Sequence, residues 1–182
     1  MIDATHPFAA EISRHVHEVC LSVGVPLLRL DRPAWPRQAG DRWIEVDDIK
    51  AATEAVSRLG KRVWLTLGTS DMAPFASLDG VWFLVRRIAP PPEPLPLPDH
   101  RLIYGKGPFS LEAEAALIAE HRIDLLVTKA SGGFGTMAKL EAAREAGLPV
   151  VMIRRPPVPP GDQVDSVAAT LAWLQGLAGL ST

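Results

Sequence analysis

The sequence predicts an α/β protein built on a parallel sheet, and three observations carry that prediction. Five short apolar runs have the length and continuity of buried strands: Arg62 to Leu67, Val81 to Arg86, His100 to Tyr104, Asp124 to Thr128 and Pro149 to Ile153. Helical patterns lie between most of them, notably Ser110 to His121 and Thr136 to Ala146, which is the alternation of a parallel sheet covered on both faces. Glycine-bearing turns follow several of the strands, as in Ser131-Gly132-Gly133 after the fourth.

The chain opens with the tail of a strand and a turn, Met1 to Phe8, with Pro7 placed to start a helix. That helix runs to about Val23. Its apolar positions Phe8, Ile12, Val16, Val19 and Cys20 follow one buried face, and Gly24 supplies the stop. Val25 to Leu30 is a strand. These elements form the end of a βαβ series without its beginning, too small to bury much surface alone, so they are expected to belong to a lobe whose earlier strands are absent or supplied from elsewhere. Asp31 to Asp48 lacks periodicity and reads as a crossing segment with one short strand near Trp43 to Val46. The expected division is therefore residues 1–46 as a remnant lobe with its crossing segment and residues 47–182 as a second lobe. The second lobe begins with a helix from Asp47 to Leu59 and ends with one from about Val164 to Leu177. Proline runs at Pro90 to Pro98 and Pro156 to Pro160 favour stiff polyproline II connectors.

Composition narrows the function. With 182 residues and a net charge of -2, the chain offers no electrostatic case for nucleic acid. No apolar segment approaches a membrane span, and the N-terminus lacks the order of a signal peptide. Cytoplasmic localisation is expected, and the single cysteine, Cys20, fits a reducing compartment as a buried structural thiol. His15 and His17 stand two apart on a helix and share no face, so no metal site is expected. Neither a nucleophile elbow nor Walker A spacing is present.

In an open parallel sheet, ligands bind beyond the carboxyl ends of the strands. Those ends read Thr66-Leu67-Gly68-Thr69-Ser70, Arg86-Arg87, Gly105-Lys106-Gly107-Pro108, Lys129 with Ser131-Gly132-Gly133, and Arg154-Arg155. Four of the five carry Lys or Arg in a slightly acidic chain, so one edge is expected to be positive and suited to phosphates or to a substrate with several carboxylates. Lys139 adds a cation in the first turn of a helix, where the macrodipole disfavours it unless an anion lies nearby. Taken singly, each of these residues also reads as a solvated charge at a strand end. His6, in its Asp3-to-Pro7 turn, also reads as a local hydrogen-bonding group.

Several phrases together resemble one family, the precorrin-6A reductases of cobalamin (vitamin B12) biosynthesis: Asp3-Ala4-Thr5-His6-Pro7-Phe8-Ala9, Arg32-Pro33 with Trp35, Leu65-Thr66-Leu67-Gly68, Gly105-Lys106-Gly107-Pro108-Phe109, Thr128-Lys129-Ala130-Ser131-Gly132-Gly133 with Lys139, and Val150-Val151-Met152-Ile153 leading to Arg155-Pro156. The resemblance implies two Rossmann-like lobes with a nicotinamide cofactor and a tetrapyrrole in the cleft between them. It implies an oxidoreductase that reduces precorrin-6A or cobalt-precorrin-6A to the 6B form with NADPH or NADH. Family members carry a glycine-rich strand-loop-helix before the Asp-Ala-Thr-His-Pro phrase, so the first lobe is expected to be incomplete. Self-association through that lobe is an accompanying expectation. Lys106 stands where Arg is expected, which keeps the charge and loses the fork, and Ala130 stands where Asn is expected. On this reading Gly68, Thr69, Lys129, Ser131, Gly132 and Gly133 serve the cofactor. His6, Arg86, Lys106, Lys139 and Arg155 serve the substrate, and no residue is identified as proton donor. The alternative is an anion- or tetrapyrrole-binding module without turnover.

Overall fold

In the computed structural model, which describes residues 1–179, the elements run β1 (Ile2–Asp3), α1 (Ala10–Val23), β2 (Leu28–Leu30), β3 (Arg42–Val46), α2 (Ile49–Leu59), β4 (Arg62–Thr66), β5 (Trp82–Arg87), β6 (His100–Tyr104), α3 (Leu111–Glu120), β7 (Leu125–Lys129), α4 (Ala138–Glu145), β8 (Pro149–Ile153), β9 (Asp162–Val164) and α5 (Val167–Gly179). Short 3-10 turns cover Thr69–Asp71, Ala73–Ser77 and Phe134–Thr136. The strands form two parallel sheets, ordered β1-β2-β9 and β3-β8-β7-β4-β5-β6. Helices flank them, so the chain is α/β, as the alternation of patterns predicts. Among the described residues no helix is long and apolar enough to cross a membrane.

The larger unit, Trp35–Arg154, holds the six-stranded sheet. Its inner strands β4, β7 and β8 each carry an unbroken run of at least three apolar residues because both faces are covered. Alternation sends Trp64, Leu126, Val150 and Met152 to a core shared with Ile118 of α3 and Leu140, Ala142 and Ala143 of α4. Val63, Leu65, Val127 and Val151 face the other way, toward the side where α2 packs on β7 and β8 and buries Ala52, Ala55 and Val56. Burying one such aliphatic side chain contributes on the order of 2 kcal/mol. Capping sets the helix starts: Asp48 accepts a hydrogen bond from the Ala51 amide at the head of α2, and Ser110 does the same for Ala113 at the head of α3. At the tail of α2, a Cβ on Gly60 would lie 2.7 Å from Val63 and 2.8 Å from Leu125, so only glycine fits there.

The smaller unit comprises Met1–Ala34 and the segment from Arg155 onward. Asp3, Ser13 and Arg29 are buried together. Arg29 donates to the Ser13 hydroxyl at 2.6 Å and to Asp3 at 3.2 Å. This network alters the expected face of α1, whose buried residues are Ser13 and Cys20, while Ile12 and Val19 are exposed. Ser13 is inside because Arg29 needs an acceptor. Pro7 and Phe8 lie in a turn before the helix rather than in its first turn.

The observed division also departs from the expected boundary at residues 46 and 47. β3 lies in the larger unit, paired with β8 from Arg42↔Pro149 to Val46↔Ile153, while β9 returns to the smaller sheet beside β2. Each unit thus takes a strand from the sequence territory assigned to the other. Long-range pairing decides this, and local pattern does not encode it.

Candidate active site

The larger sheet reverses direction between β4 and β7: β5 and β6 extend to one side of that pair, β8 and β3 to the other. The carboxyl ends flanking such a switch point form the natural crevice of an open α/β sheet. Here they carry Thr66, Gly68 and Thr69 after β4, and Lys129, Ser131, Gly132 and Gly133 at the end of β7. The six residues expected to serve a cofactor therefore flank this one position. Lys129 Nζ donates to Asp71 Oδ2 at 2.7 Å, which ties the end of β7 to the turn that follows β4. Arg87 donates to Thr69 Oγ1, joining the end of β5 to the same turn. Gly132 (φ 69°) and Gly133 (φ 81°) place consecutive residues in backbone conformations that side chains resist. Trp35 Nε1 donates to the Gly133 carbonyl at 2.6 Å, which holds the loop.

Beside the switch point lies a cavity of about 250 Å³, lined by Thr66, Leu67, Arg86, Arg87, Glu114 and Lys139 together with the Gly105–Phe109 and Gly135–Ala138 segments. Arg86 donates to both oxygens of Glu114, at 2.6 and 3.1 Å, and its guanidinium lies 3.5 Å from the Phe109 ring centroid and 5.1 Å from that of Trp64. A Cβ at Gly105 would meet Phe109 at 3.0 Å, so the glycine is what admits that ring. Arg86 reaches the cavity as expected, but its charge is already answered by Glu114. Lys139 is different. It is buried, its Nζ stands 5.6 Å from the Trp35 ring, and no acceptor among the described residues takes a hydrogen bond from it. Burial pushes its pKa down to about 8, with Glu114 acting to raise it and Arg86 to lower it. A buried ammonium that makes no hydrogen bond among the described residues is an arrangement that an incoming anion completes.

The other expected substrate contacts are not among the residues that line this cavity. Lys106 is exposed in the loop between Gly105 and Gly107, both of which line the cavity. Arg155 belongs to the smaller unit, where it donates to Asp31 at 3.1 Å and to the Arg32 carbonyl at 2.8 Å. His6 is also in that unit and exposed, and its Nδ1 accepts from the Phe8 amide at 3.2 Å, the local bond its turn suggested. A larger cavity of about 320 Å³ in the smaller unit is lined mainly by apolar groups such as Cys20, Leu21, Val25 and Pro26, and its arginine, Arg29, is committed to Asp3 and Ser13. Among the described residues no group of three His, Cys, Asp or Glu is gathered to hold a metal.

Glu114, Asp71, Arg87 and Trp35 are absent from the expected site. A signal for Glu114 exists in the sequence, since it sits on the stripe Leu111, Ala115, Ile118 that α3 turns inward. A carboxylate on an apolar face asks for a buried partner.

Residues 1–175 match the family model described as precorrin-6x reductase CbiJ/CobK. The precorrin-6A reductase of Rhodococcus erythropolis is 47% identical over 175 residues, covering 96% of this chain and 70% of that protein. That of Rhodobacter capsulatus is 41% identical, covering 96% and 69%. The cobalt-precorrin-6A reductase of Synechocystis is 33% identical, covering 92% and 67%. A solved structure titled CobK precorrin-6A reductase superposes with a TM-score of 0.92 at 40% identity, over 96% of this chain and 72% of that one. The chain belongs to the precorrin-6x reductase family.

Proposed function

We propose that this chain reduces precorrin-6A, or its cobalt-bearing counterpart, to the 6B form in the cytoplasm, using NADPH or NADH. Family membership supports the reaction class. The observation that carries the assignment to this site is Lys139, a buried cation that makes no hydrogen bond among the described residues, in a cavity whose lining also includes Arg86 and Arg87. A tetrapyrrole bearing acetate and propionate arms supplies the missing anions. At about 250 Å³ the cavity is too small for a macrocycle. It therefore takes an acidic arm, and the ring body rests outside, where Ile88 and Phe134 expose apolar side chains.

The residues present fit a nicotinamide dinucleotide. Gly132 and Gly133 bring backbone close to the switch point, and a Cβ at Gly135 would meet nothing within 4 Å, which leaves room for a ligand along the loop. Ser131, Gly132 and Gly133 with Lys129 would hold the phosphates, and Gly68 and Thr69 would border them. When bound, the nicotinamide supplies the hydride. The chain's own work is positioning. Asp71 fixes Lys129, Thr69 fixes Arg87, Trp35 fixes the glycine loop, and Lys139 anchors an acidic arm so that the ring is presented in one orientation.

The test is turnover. Purified chain mixed with NADPH and precorrin-6A is expected to consume nicotinamide absorbance and yield a tetrapyrrole heavier by two hydrogens. Binding of precorrin-6A with no loss of nicotinamide absorbance would reduce the reading to a binding module.

A further inference from the structure

We infer that Glu114 is a positioning residue, whose buried carboxylate is the counter-ion that lets Arg86 and Lys139 stand in one cavity as cations ready for an anionic guest. Two like charges on a dry wall repel, and each loses hydration on burial. Glu114 answers both costs. It is 1% exposed, it accepts both terminal nitrogens of Arg86, and it lines the same cavity as Lys139. Its position is set from several sides: the Ser110 cap starts α3, Ile118 one turn further along the helix anchors it in the core, and the Phe109 ring closes over the Arg86 guanidinium. The charged groups lining the cavity with Lys139 are Glu114 from α3 and Arg86 and Arg87 from β5, Arg87 being held by the Thr69 hydroxyl. The neighbouring Lys129 and Asp71 form a pair and add no net charge. Removing Glu114 leaves three cations in one cavity with no anion. Lys139, which makes no hydrogen bond among the described residues, is then the group that gives up its proton.

A purely structural role, in which Glu114 serves only to neutralise Arg86, also lowers Lys139 in Glu114→Gln, by unmasking the Arg86 charge, but predicts no change at Lys139 when Arg86 is removed together with Glu114. The double variant therefore separates the two. The inference deepens the proposed function and rests on it only for the identity of the guest, so the primary test is made without ligand. The 182-residue chain carrying lysine labelled with carbon-13 at Cε is titrated by NMR, with the Lys139 signal assigned by its absence from Lys139→Met. The wild-type midpoint is expected near 8, and in Glu114→Gln it is expected to fall below about 7. Should an unpaired Arg86 prevent folding of that variant, the double variant Arg86→Met with Glu114→Gln removes both charges. It too is expected to titrate below wild type, because Glu114 raises Lys139 more than Arg86 lowers it. An unmoved Lys139 midpoint in either variant overturns the inference. A second arm titrates precorrin-6A onto both proteins at neutral pH, with affinity expected to fall about tenfold in Glu114→Gln. If Lys139 moves as expected while wild type itself fails to bind precorrin-6A, the functional reading fails and the role of Glu114 stands.

Discussion

Replacing Lys139 with methionine keeps the length of the side chain and removes its charge, and the structure sets the direction and size of the result. The pKa of this lysine lies near 8 in the folded chain against an ordinary 10.5, so holding the charge in place costs about 3 kcal/mol. Below about 8 both folded and unfolded chains hold the proton, and the native state bears the full cost. Between about 8 and 10.5 the folded chain releases the proton first, the unfolded chain binds more, and wild-type stability rises with pH. Methionine avoids the cost at every pH but forfeits the contact of the ammonium with the Trp35 ring, worth about 0.5 to 2 kcal/mol. Lys139→Met is therefore expected to be more stable than wild type at neutral pH by about 1 to 3 kcal/mol, with the gap closing as the pH approaches that of free lysine. Urea unfolding followed by tryptophan fluorescence measures this, since Trp35 and Trp64 lie in the core beside the cavity. A variant less stable than wild type at neutral pH, or a gap independent of pH, would refute the claim that this charge is held against the fold. The same variant is expected to lose precorrin-6A binding.

Three further outcomes follow from the geometry. Gly105→Ala puts a Cβ 3.0 Å from the Phe109 ring, so the ring must leave Arg86; a loss of about 1 to 2 kcal/mol is expected in the same urea assay. Gly133→Ala forces a side chain into a backbone conformation at φ 81° and ψ 155°, a strain of about 1 to 3 kcal/mol. Isothermal titration is expected to show weaker NADPH binding by that variant and little change for precorrin-6A. Lys129→Met breaks a pair whose side chains are each 21% exposed. Stability is expected to change by less than about 1 kcal/mol, while the KM for NADPH rises.

The parts of the fold that were legible in the sequence are those governed by local pattern. The strands β4, β7 and β8 read as apolar runs because both faces of the sheet are covered, and the helical patterns begin within a residue or two of the caps at Asp48 and Ser110. β9, only three residues long and polar at Asp162 and Gln163, left no such pattern, and neither did the exchange that puts β3 in the larger sheet. Apolar spacing finds Cys20 on the buried face of α1 but not Ser13, which is inside for a polar reason, its bond to Arg29. The candidate site follows the same division. Lys139 is legible as an unfavourable cation in the first turn of a helix, and strand-end reasoning puts Lys129, the glycine loop and Arg86 on one edge of one sheet, since that rule depends only on where strands stop. It missed Glu114 and Asp71, which come from a helix and a 3-10 turn and take their meaning from partners 28 and 58 residues away. Arg155, two residues past the end of β8, is held by Asp31 and the Arg32 carbonyl within the smaller unit.

The most direct measurement of the account is the dissociation constant of precorrin-6A as the pH is raised through the midpoint of Lys139, for wild type and for Lys139→Met. Wild-type binding is expected to weaken above about 8, as the ammonium loses its proton, and the variant is expected to bind poorly with no such dependence. Equal affinity of the two proteins across that range would contradict the claim that this buried cation recognises the guest.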